Sequence, residues 1–120
     1  MKFTTPLNKN HEFRRLYKKG KSAGSSYVIV YCSRNNSPYN KLGITVSKKV
    51  GGAVERNRVR RRLKEIYRLN ELNILIGYNI VIVARVKSQI AQYSELEASV
   101  ISLFKKLRIF AGTQTESHSK

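Results

Sequence analysis

The chain has 120 residues, with 24 Lys or Arg against 7 Glu and no Asp, so its formal charge is +17. This length allows one domain with one core, and a hydrophobic fraction of 41% excludes a disordered basic tail. The single cysteine, Cys32, excludes an internal disulfide and a cysteine-based zinc site, and its apolar surroundings predict a buried, inert thiol. No apolar run approaches the roughly 20 residues that span a bilayer, and residues 1–6 contain no signal-peptide segment. We therefore expect a cytoplasmic protein that does not enter membranes.

The first elements are an arm and a helix. Residues 1–7 are predicted to be extended. Asn8 or Asn10 is expected to cap a helix that runs to about Lys19 and ends at Gly20.

Two strands follow this helix. Residues 27–32 are rich in β-branched and aromatic side chains, which favours a strand. Residues 34–40 have turn chemistry, and residues 41–47 are predicted to be the hairpin partner of the first strand. Residues 24–26 are either a loop or a bulged strand start, and a short extra strand is possible near residues 21–23.

The second half contains two helices around one strand. A helix is predicted for residues 53–70, followed by a loop or fraying helix end over 71–79. Residues 80–84 are apolar on both faces, which predicts a central strand. A last helix is predicted for about 94–107, with Ser94 and Glu97 as a capping box. The predicted order α-β-β-α-β-α indicates an α+β fold.

We assign residues 1–110 to a single domain and residues 111–120 to a disordered polar tail.

Residues 47–65 form the most informative segment because they combine helical periodicity with dense positive charge. Val59, Leu63 and Ile66 recur at helical spacing, so one stripe can face a core. The remaining surface carries eight cations: Lys48, Lys49, Arg56, Arg58, Arg60, Arg61, Arg62 and Lys64. A solvated, salt-bridged helix would need alternating charges, whereas this segment has only two acids. The pattern favours a surface that binds polyphosphate, which usually means nucleic acid.

Catalytic groups are scarce in this sequence. The two histidines have no evident partners, and the glutamates are scattered, whereas two-metal phosphoryl chemistry needs clustered carboxylates. The segment Gly20-Lys21-Ser22 mimics the end of a P-loop, but Arg15 stands where the first glycine is required. We therefore predict no metal site and no catalytic residue in the chain.

The central sequence resembles the protein subunit of bacterial ribonuclease P. The resemblance is carried by LGITVSKKVG at residues 42–51 and AVERNRVRRRLKE at residues 53–65. Phe13, Tyr17 and Gly20, and later residues 81–85, fit the same family in order and spacing, so the resemblance covers roughly residues 7–107.

This resemblance implies an α/β sandwich with a central, mainly antiparallel sheet and a left-handed β-α-β crossover, as in the second domain of a small-subunit ribosomal protein. It implies that the partner is a catalytic RNA, which uses Mg²⁺ to remove the 5′ leader of precursor tRNA. The protein assists by binding that RNA and the leader. We expect no membrane or DNA partner and a monomeric chain when it is alone.

The resemblance also implies residue roles. The expected contacts with the catalytic RNA are Lys48, Lys49, Arg56, Arg58, Arg60, Arg61, Arg62, Lys64 and Arg68. The expected cleft for the leader is lined by Phe13, Tyr17, Tyr31, Arg56 and Asn57.

Several alternatives stay open at this stage. Phe13 and Tyr17 lie at i and i+4, so from the sequence alone they fit core packing as well as a cleft. Asn57 fits an ordinary polar position near a helix start, and Tyr27 fits either face of its strand. The competing classes of function are a structural RNA binder such as a ribosomal protein, a protein that binds anionic lipids, and a free-standing nuclease.

Overall fold

The computed structural model describes residues 1–111 as one five-stranded sheet packed between helices. The strands are β1 (Thr4–Pro6), β2 (Lys21–Gly24), β3 (Val28–Arg34), β4 (Asn40–Val46) and β5 (Tyr78–Ala84). The helices are α1 (Asn10–Lys19), α2 (Ala53–Asn70) and α3 (Tyr93–Lys106), with short 3-10 turns at Lys48–Val50, Glu71–Asn73 and Val86–Gln89. The predicted α+β class and the possible extra strand before β3 are confirmed. The predicted tail, except Ala111, lies outside the described residues.

The strand order is β1-β4-β5-β3-β2. β3 runs antiparallel to β5 and β2, whereas β4 runs parallel to β5 and β1. Counted as paired residues, the antiparallel pairing is slightly more extensive than the parallel pairing. The predicted hairpin between the strands now called β3 and β4 is wrong, because β5 lies between them. β5 is apolar on both faces, so the central position buries it best.

The sheet has a helix layer on each side. One face of the sheet packs against α2 and α3 and forms the main core. Alternate residues of β3 and β5, such as Val30 and Ile82, contribute to it together with Leu63, Ile66 and Phe104. A smaller cluster on the opposite face joins α1 to the sheet, and its buried members are Leu7, Leu16 and Val81. This arrangement is the predicted sandwich. Cys32 lies in the main core, where burial raises the pKa of its thiol.

The connection from β4 through α2 to β5 is left-handed. Consider the sheet viewed from the side of α2, with β4 running upward. An L-residue whose side chain points toward the viewer then has its backbone N–H and C=O directed to the right. The Leu42 side chain faces α2, and the Leu42 carbonyl accepts a hydrogen bond from the backbone N–H of Leu7, just after β1. β1 therefore lies to the right of β4 and β5 to its left, which is the rare hand for such a crossover.

The N-terminal arm is a strand held by polar groups from α2 and its C-terminal end. The carboxylate of Glu71, which is 4% exposed, accepts hydrogen bonds from the backbone N–H groups of Lys2 and Phe3 and from the Thr4 hydroxyl, at 2.9, 3.2 and 2.6 Å. Burial alone would raise the pKa of Glu71, but these donors outweigh it and lower that pKa. Thr4 also contacts the hydroxyl of the buried Tyr67 at 2.9 Å. The arm is thereby fixed against the sheet edge.

The helix ends differ from the predictions in detail. α1 ends at Gly20 as predicted, but its N-cap is Lys9, with no side-chain cap. The capping box of α3 is formed by Gln92 and Glu95, so the prediction of Ser94 and Glu97 is wrong by two residues. Along residues 1–111, no helix is both long and apolar enough to cross a membrane.

Candidate nucleic-acid interface

Three aromatic rings meet between α1 and the sheet. The ring centroids of Phe13 and Tyr17 are 6.3 Å apart, and Tyr17 meets Tyr31 of β3 edge-on at 4.9 Å. The Tyr17 hydroxyl lies 3.3 Å from the Thr45 hydroxyl of β4. The structure therefore brings together all three predicted aromatic residues, although Phe13 and Tyr31 are 18 residues apart in the sequence.

These rings are not sealed in a core. Tyr17 is 42% exposed, and Phe13 and Tyr31 are half-buried. Beside them Ile29 and Val83 are also only half-buried, because α1 covers just part of this sheet face. The result is an aromatic cleft, defined by Phe13, Tyr17 and Tyr31, whose apolar surface is open to a flat ligand.

Tyr27 does not belong to this cleft. It packs partly against the main core, and its hydroxyl donates to the Glu95 carboxylate of α3 at 3.3 Å. The preceding turn displaces Tyr27 from the alternation of β3, because the Ser25 hydroxyl accepts hydrogen bonds from the backbone N–H groups of Tyr27 and Val28. The question that the sequence left open is thus settled in favour of the α3 side.

Gly43 positions the first ring of the cleft. A Cβ atom at this residue would lie 2.7 Å from Cζ of Phe13, so a larger residue would displace the ring. The sequence analysis did not single out Gly43 as a site residue. A glycine inside an apolar strand pattern was the available signal, since it often marks a close approach.

The arginine-rich helix α2 lies on the opposite face of the sheet. Its buried stripe is Val59, Leu63, Ile66 and Tyr67, so the predicted helical periodicity is confirmed. The chain leaves β4, passes through the exposed Lys48 and Lys49, and enters α2 at Ala53. The start of α2 therefore follows the end of β4 that carries Thr45, the sheet contact of Tyr17.

Arg56 and Asn57 lie in this first part of α2. Arg56 is half-buried and Asn57 is exposed, and the Asn57 side-chain oxygen accepts from the Arg60 guanidinium at 3.3 Å. Among the described residues, no hydrogen bond or cation–π contact joins either side chain to the three rings. The structure places them near the carboxyl end of β4 but not inside the aromatic cluster.

Two of the predicted cations are held on one side of α2 by backbone acceptors. Arg58 donates to the carbonyl of Gln89 at 3.2 Å, and Arg62 donates to the carbonyl of Ala91 at 3.1 Å. These bonds fix both guanidinium groups beside the segment before α3 without neutralising their charge. Each planar group keeps further N–H donors for an external anion.

The remaining cations of α2 point elsewhere. Arg60 and Lys64 line a cavity of about 380 Å³ at the β1 edge, which Phe13 also lines. Arg61 is exposed. Arg68 forms a two-pronged ion pair with Glu65 at 2.9 and 2.6 Å, and this hydrogen bonding lowers the pKa of Glu65. Because the pair is about half exposed, it contributes little to stability. The nine predicted cations thus lie on several sides of α2 and in the turn before it, and they do not converge on one point.

Within residues 1–111, no three His, Cys, Asp or Glu side chains gather in a group that could hold a metal ion. The chemistry of this surface is that of cations, amides and aromatic rings.

The comparisons with known proteins agree with this geometry. A sequence profile of the family described as ribonuclease P matches residues 1–108. The chain belongs to the ribonuclease P protein family.

Curated relatives and solved structures support that assignment over nearly the whole chain. The ribonuclease P protein component of Clostridioides difficile (strain 630) is 47% identical over 107 residues, which is 88% of this chain and 94% of the relative. That of Alkaliphilus metalliredigens (strain QYMF) is 41% identical over 111 residues, which is 92% of this chain and 100% of the relative. The structure of the Staphylococcus aureus RNase P protein has a TM-score of 0.81 at 31% identity and covers 88% of this chain and 96% of that one. The Thermotoga maritima protein gives 0.77 at 30% identity, with 84% and 96% covered.

Proposed function

We propose that this chain is the protein component of a ribonuclease P holoenzyme that removes the 5′ leader of precursor tRNA in the cytoplasm. It binds the catalytic RNA through α2 and the lysines that precede it, and it holds the leader in the aromatic cleft. The observation that carries the proposal is the pairing of an open aromatic cleft on one sheet face with an arginine-rich helix on the other.

Binding of the catalytic RNA is supported by the uncompensated charge of α2. The cations assigned to it are Lys48, Lys49, Arg56, Arg58, Arg60, Arg61, Arg62, Lys64 and Arg68. In the described part of the chain, only Arg68 of this set has a carboxylate partner. Phosphates would relieve the repulsion, and the release of their counterions makes affinity fall with salt at a slope of about −0.7 to −0.9 per phosphate.

Leader binding is supported by the exposed ring surfaces. A leader is single-stranded, so its bases can stack on Tyr17 and Tyr31, and such stacking contributes about 1–3 kcal/mol per base. Arg56 and Asn57, near the carboxyl end of β4, supply a phosphate contact and an amide for a sugar or base edge. This combination tolerates many leader sequences because every base offers a π face.

Hydrolysis itself is assigned to the RNA. When bound, mainly by the RNA, Mg²⁺ would supply an activated water and charge stabilisation for this step. The protein contributes no cluster of acids to this step in its described part, and its role is to position the two RNA molecules relative to each other.

Reconstitution tests the proposal. The purified chain is mixed with bacterial ribonuclease P RNA and a precursor tRNA at low Mg²⁺, and release of the 5′ leader is measured. RNA alone, protein alone and a basic peptide of equal charge serve as controls. We expect cleavage only when the chain and the RNA are both present, and no rescue by the peptide. Tight RNA binding without stimulated cleavage would instead identify a structural RNA binder.

A further inference from the structure

α1 divides its sheet face into two unlike clefts. The aromatic cleft lies on one flank of the helix. On the other flank a second cavity, of about 620 Å³, is bounded by α1, the end of β3 and the starts of β4 and β5. Its polar lining includes Glu12, Arg15, Lys19, Arg34, Asn36 and Lys41. We call it the polar cleft.

Positive charge dominates the polar cleft. Lys41 is paired with Glu12 at 2.8 Å, and the hydrogen bond from Lys41 lowers the pKa of Glu12. The other cations, Arg15 and Lys19, have no carboxylate partner in the described part of the chain. Three cationic side chains, Arg15, Lys19 and Lys41, therefore line the cleft against one carboxylate, which is already neutralised.

Arg34 and the neighbouring loop are held in place. The Arg34 guanidinium lies 5.8 Å from the centroid of the Tyr78 ring, which packs against the main core on the α2 and α3 side of the sheet, so this side chain points away from the polar cleft. Asn35 fixes the loop by donating to the side chain of Asn79 at 3.0 Å and accepting from the backbone N–H of Ser37 at 2.9 Å. The exposed Asn36 amide is thereby presented at the wall of the cleft.

We propose that the polar cleft binds the phosphodiester backbone of a second RNA segment, separate from the strand in the aromatic cleft. This inference rests on the proposed function, because it assumes that the chain works on RNA. Arg15 and Lys19 contact the phosphates, and the amide of Asn36 donates to a phosphate or sugar oxygen. No aromatic ring lines this cavity within residues 1–111, so the segment is recognised by its backbone and not by stacked bases.

α1 supplies a matched pair of variants for the test. Arg15→Ala with Lys19→Ala removes two cations that line the polar cleft. Arg14→Ala with Lys18→Ala removes the same charge from the same helix outside the cleft. All four side chains are exposed, so both double variants should fold, and thermal unfolding checks this.

Each double variant is assayed with the holoenzyme in two arms across a range of salt concentrations. One arm measures the Kd of the protein for the catalytic RNA, and the other measures the Kd of the holoenzyme for precursor tRNA. In one arm we expect the cleft variant to lose about tenfold more affinity than its matched control, with a salt slope shallower by about 1.4–1.8. The arm that responds identifies the RNA that occupies the cleft.

Equal losses from both double variants, in both arms, would overturn the inference and leave only a net-charge effect. Asn36→Asp, on a different element, replaces the donor amide with a carboxylate and should reduce affinity in the same arm as the α1 pair. The unmodified chain separates the two levels of proposal. If it fails to stimulate cleavage, the proposed function fails, whereas normal stimulation with equal losses refutes the polar cleft alone.

Discussion

Tyr31→Ala is the sharpest test of the aromatic cleft, because Tyr31 contacts α1 through Tyr17 and offers its other surface to solvent. Loss of one base–ring stack costs about 1–3 kcal/mol. At about 1.4 kcal/mol per tenfold, this corresponds to roughly a 5- to 150-fold rise in Kd. The variant also loses the edge-on pair at 4.9 Å, which removes about 0.5–1.5 kcal/mol of folding stability. Urea unfolding of the protein alone measures that second loss separately.

The assay compares two precursors in the reconstituted holoenzyme, one with a long leader and one with its leader trimmed to a single nucleotide. Tyr31→Ala should raise the Kd for the long-leader substrate only. Tyr31→Phe keeps the ring and should bind like the parent. Tyr39→Ala provides a matched control, because Tyr39 is 52% exposed and lines neither cleft. A loss of equal size for both precursors would refute the stacking role and show that Tyr31 only supports the fold.

Three further substitutions test other parts of the structure. Gly43→Ala places a Cβ against Phe13 and should displace the ring, lowering stability by about 1–3 kcal/mol in urea unfolding and weakening long-leader binding. Glu71→Gln should cost about 2–4 kcal/mol, because an amide cannot accept from all three donors of the N-terminal arm. Since the folded-state pKa of Glu71 is lowered, its contribution is present above the ordinary value of about 4.3 and is lost as pH falls through the folded-state pKa. The variant should therefore show a weaker loss of stability than the parent in acid titrations. Arg60→Ala with Arg61→Ala should weaken binding of the catalytic RNA and flatten its salt slope by about 1.4–1.8, and an unchanged slope would argue against α2 as the RNA surface.

Local patterns predicted the helices and the central strand well, because the evidence for each lies within a short window. The apolar stripe of α2 and the two apolar faces of β5 are properties of consecutive residues. The predicted hairpin failed for the same reason. Residues 35–39 do connect β3 to β4 through a bend, but the gap between these two strands is filled by β5, which begins at residue 78. Turn chemistry alone does not report such a competitor.

The polar contacts that fix the sheet edge were also beyond sequence reasoning. Asn40 is fully buried, donates to the Tyr67 hydroxyl and the Leu75 carbonyl, and accepts from the backbone N–H groups of Gly77 and Tyr78. As a sequence pattern it was only one of several turn-forming residues. Its role depends on a tertiary arrangement that brings three distant segments together, and no local period encodes that arrangement.

The candidate site shows the same division between local and tertiary information. Phe13 and Tyr17 share a helix face by spacing alone, but spacing does not distinguish a core from a cleft. The deciding quantity is how much of the sheet α1 covers, and the ten residues of α1 leave Ile29 and Val83 half-buried. α2, in contrast, shares its face with α3, and together they bury that side of β3 and β5 almost completely. The two faces of the sheet therefore differ in chemistry. The face covered by α2 and α3 contains the main core, and the arginines of α2 lie on the outer surface of that helix. The face partly covered by α1 leaves aromatic rings accessible on one flank of α1 and cations on the other. If the proposed function holds, a single sheet that is closed on one side and open on the other offers surfaces for more than one RNA segment.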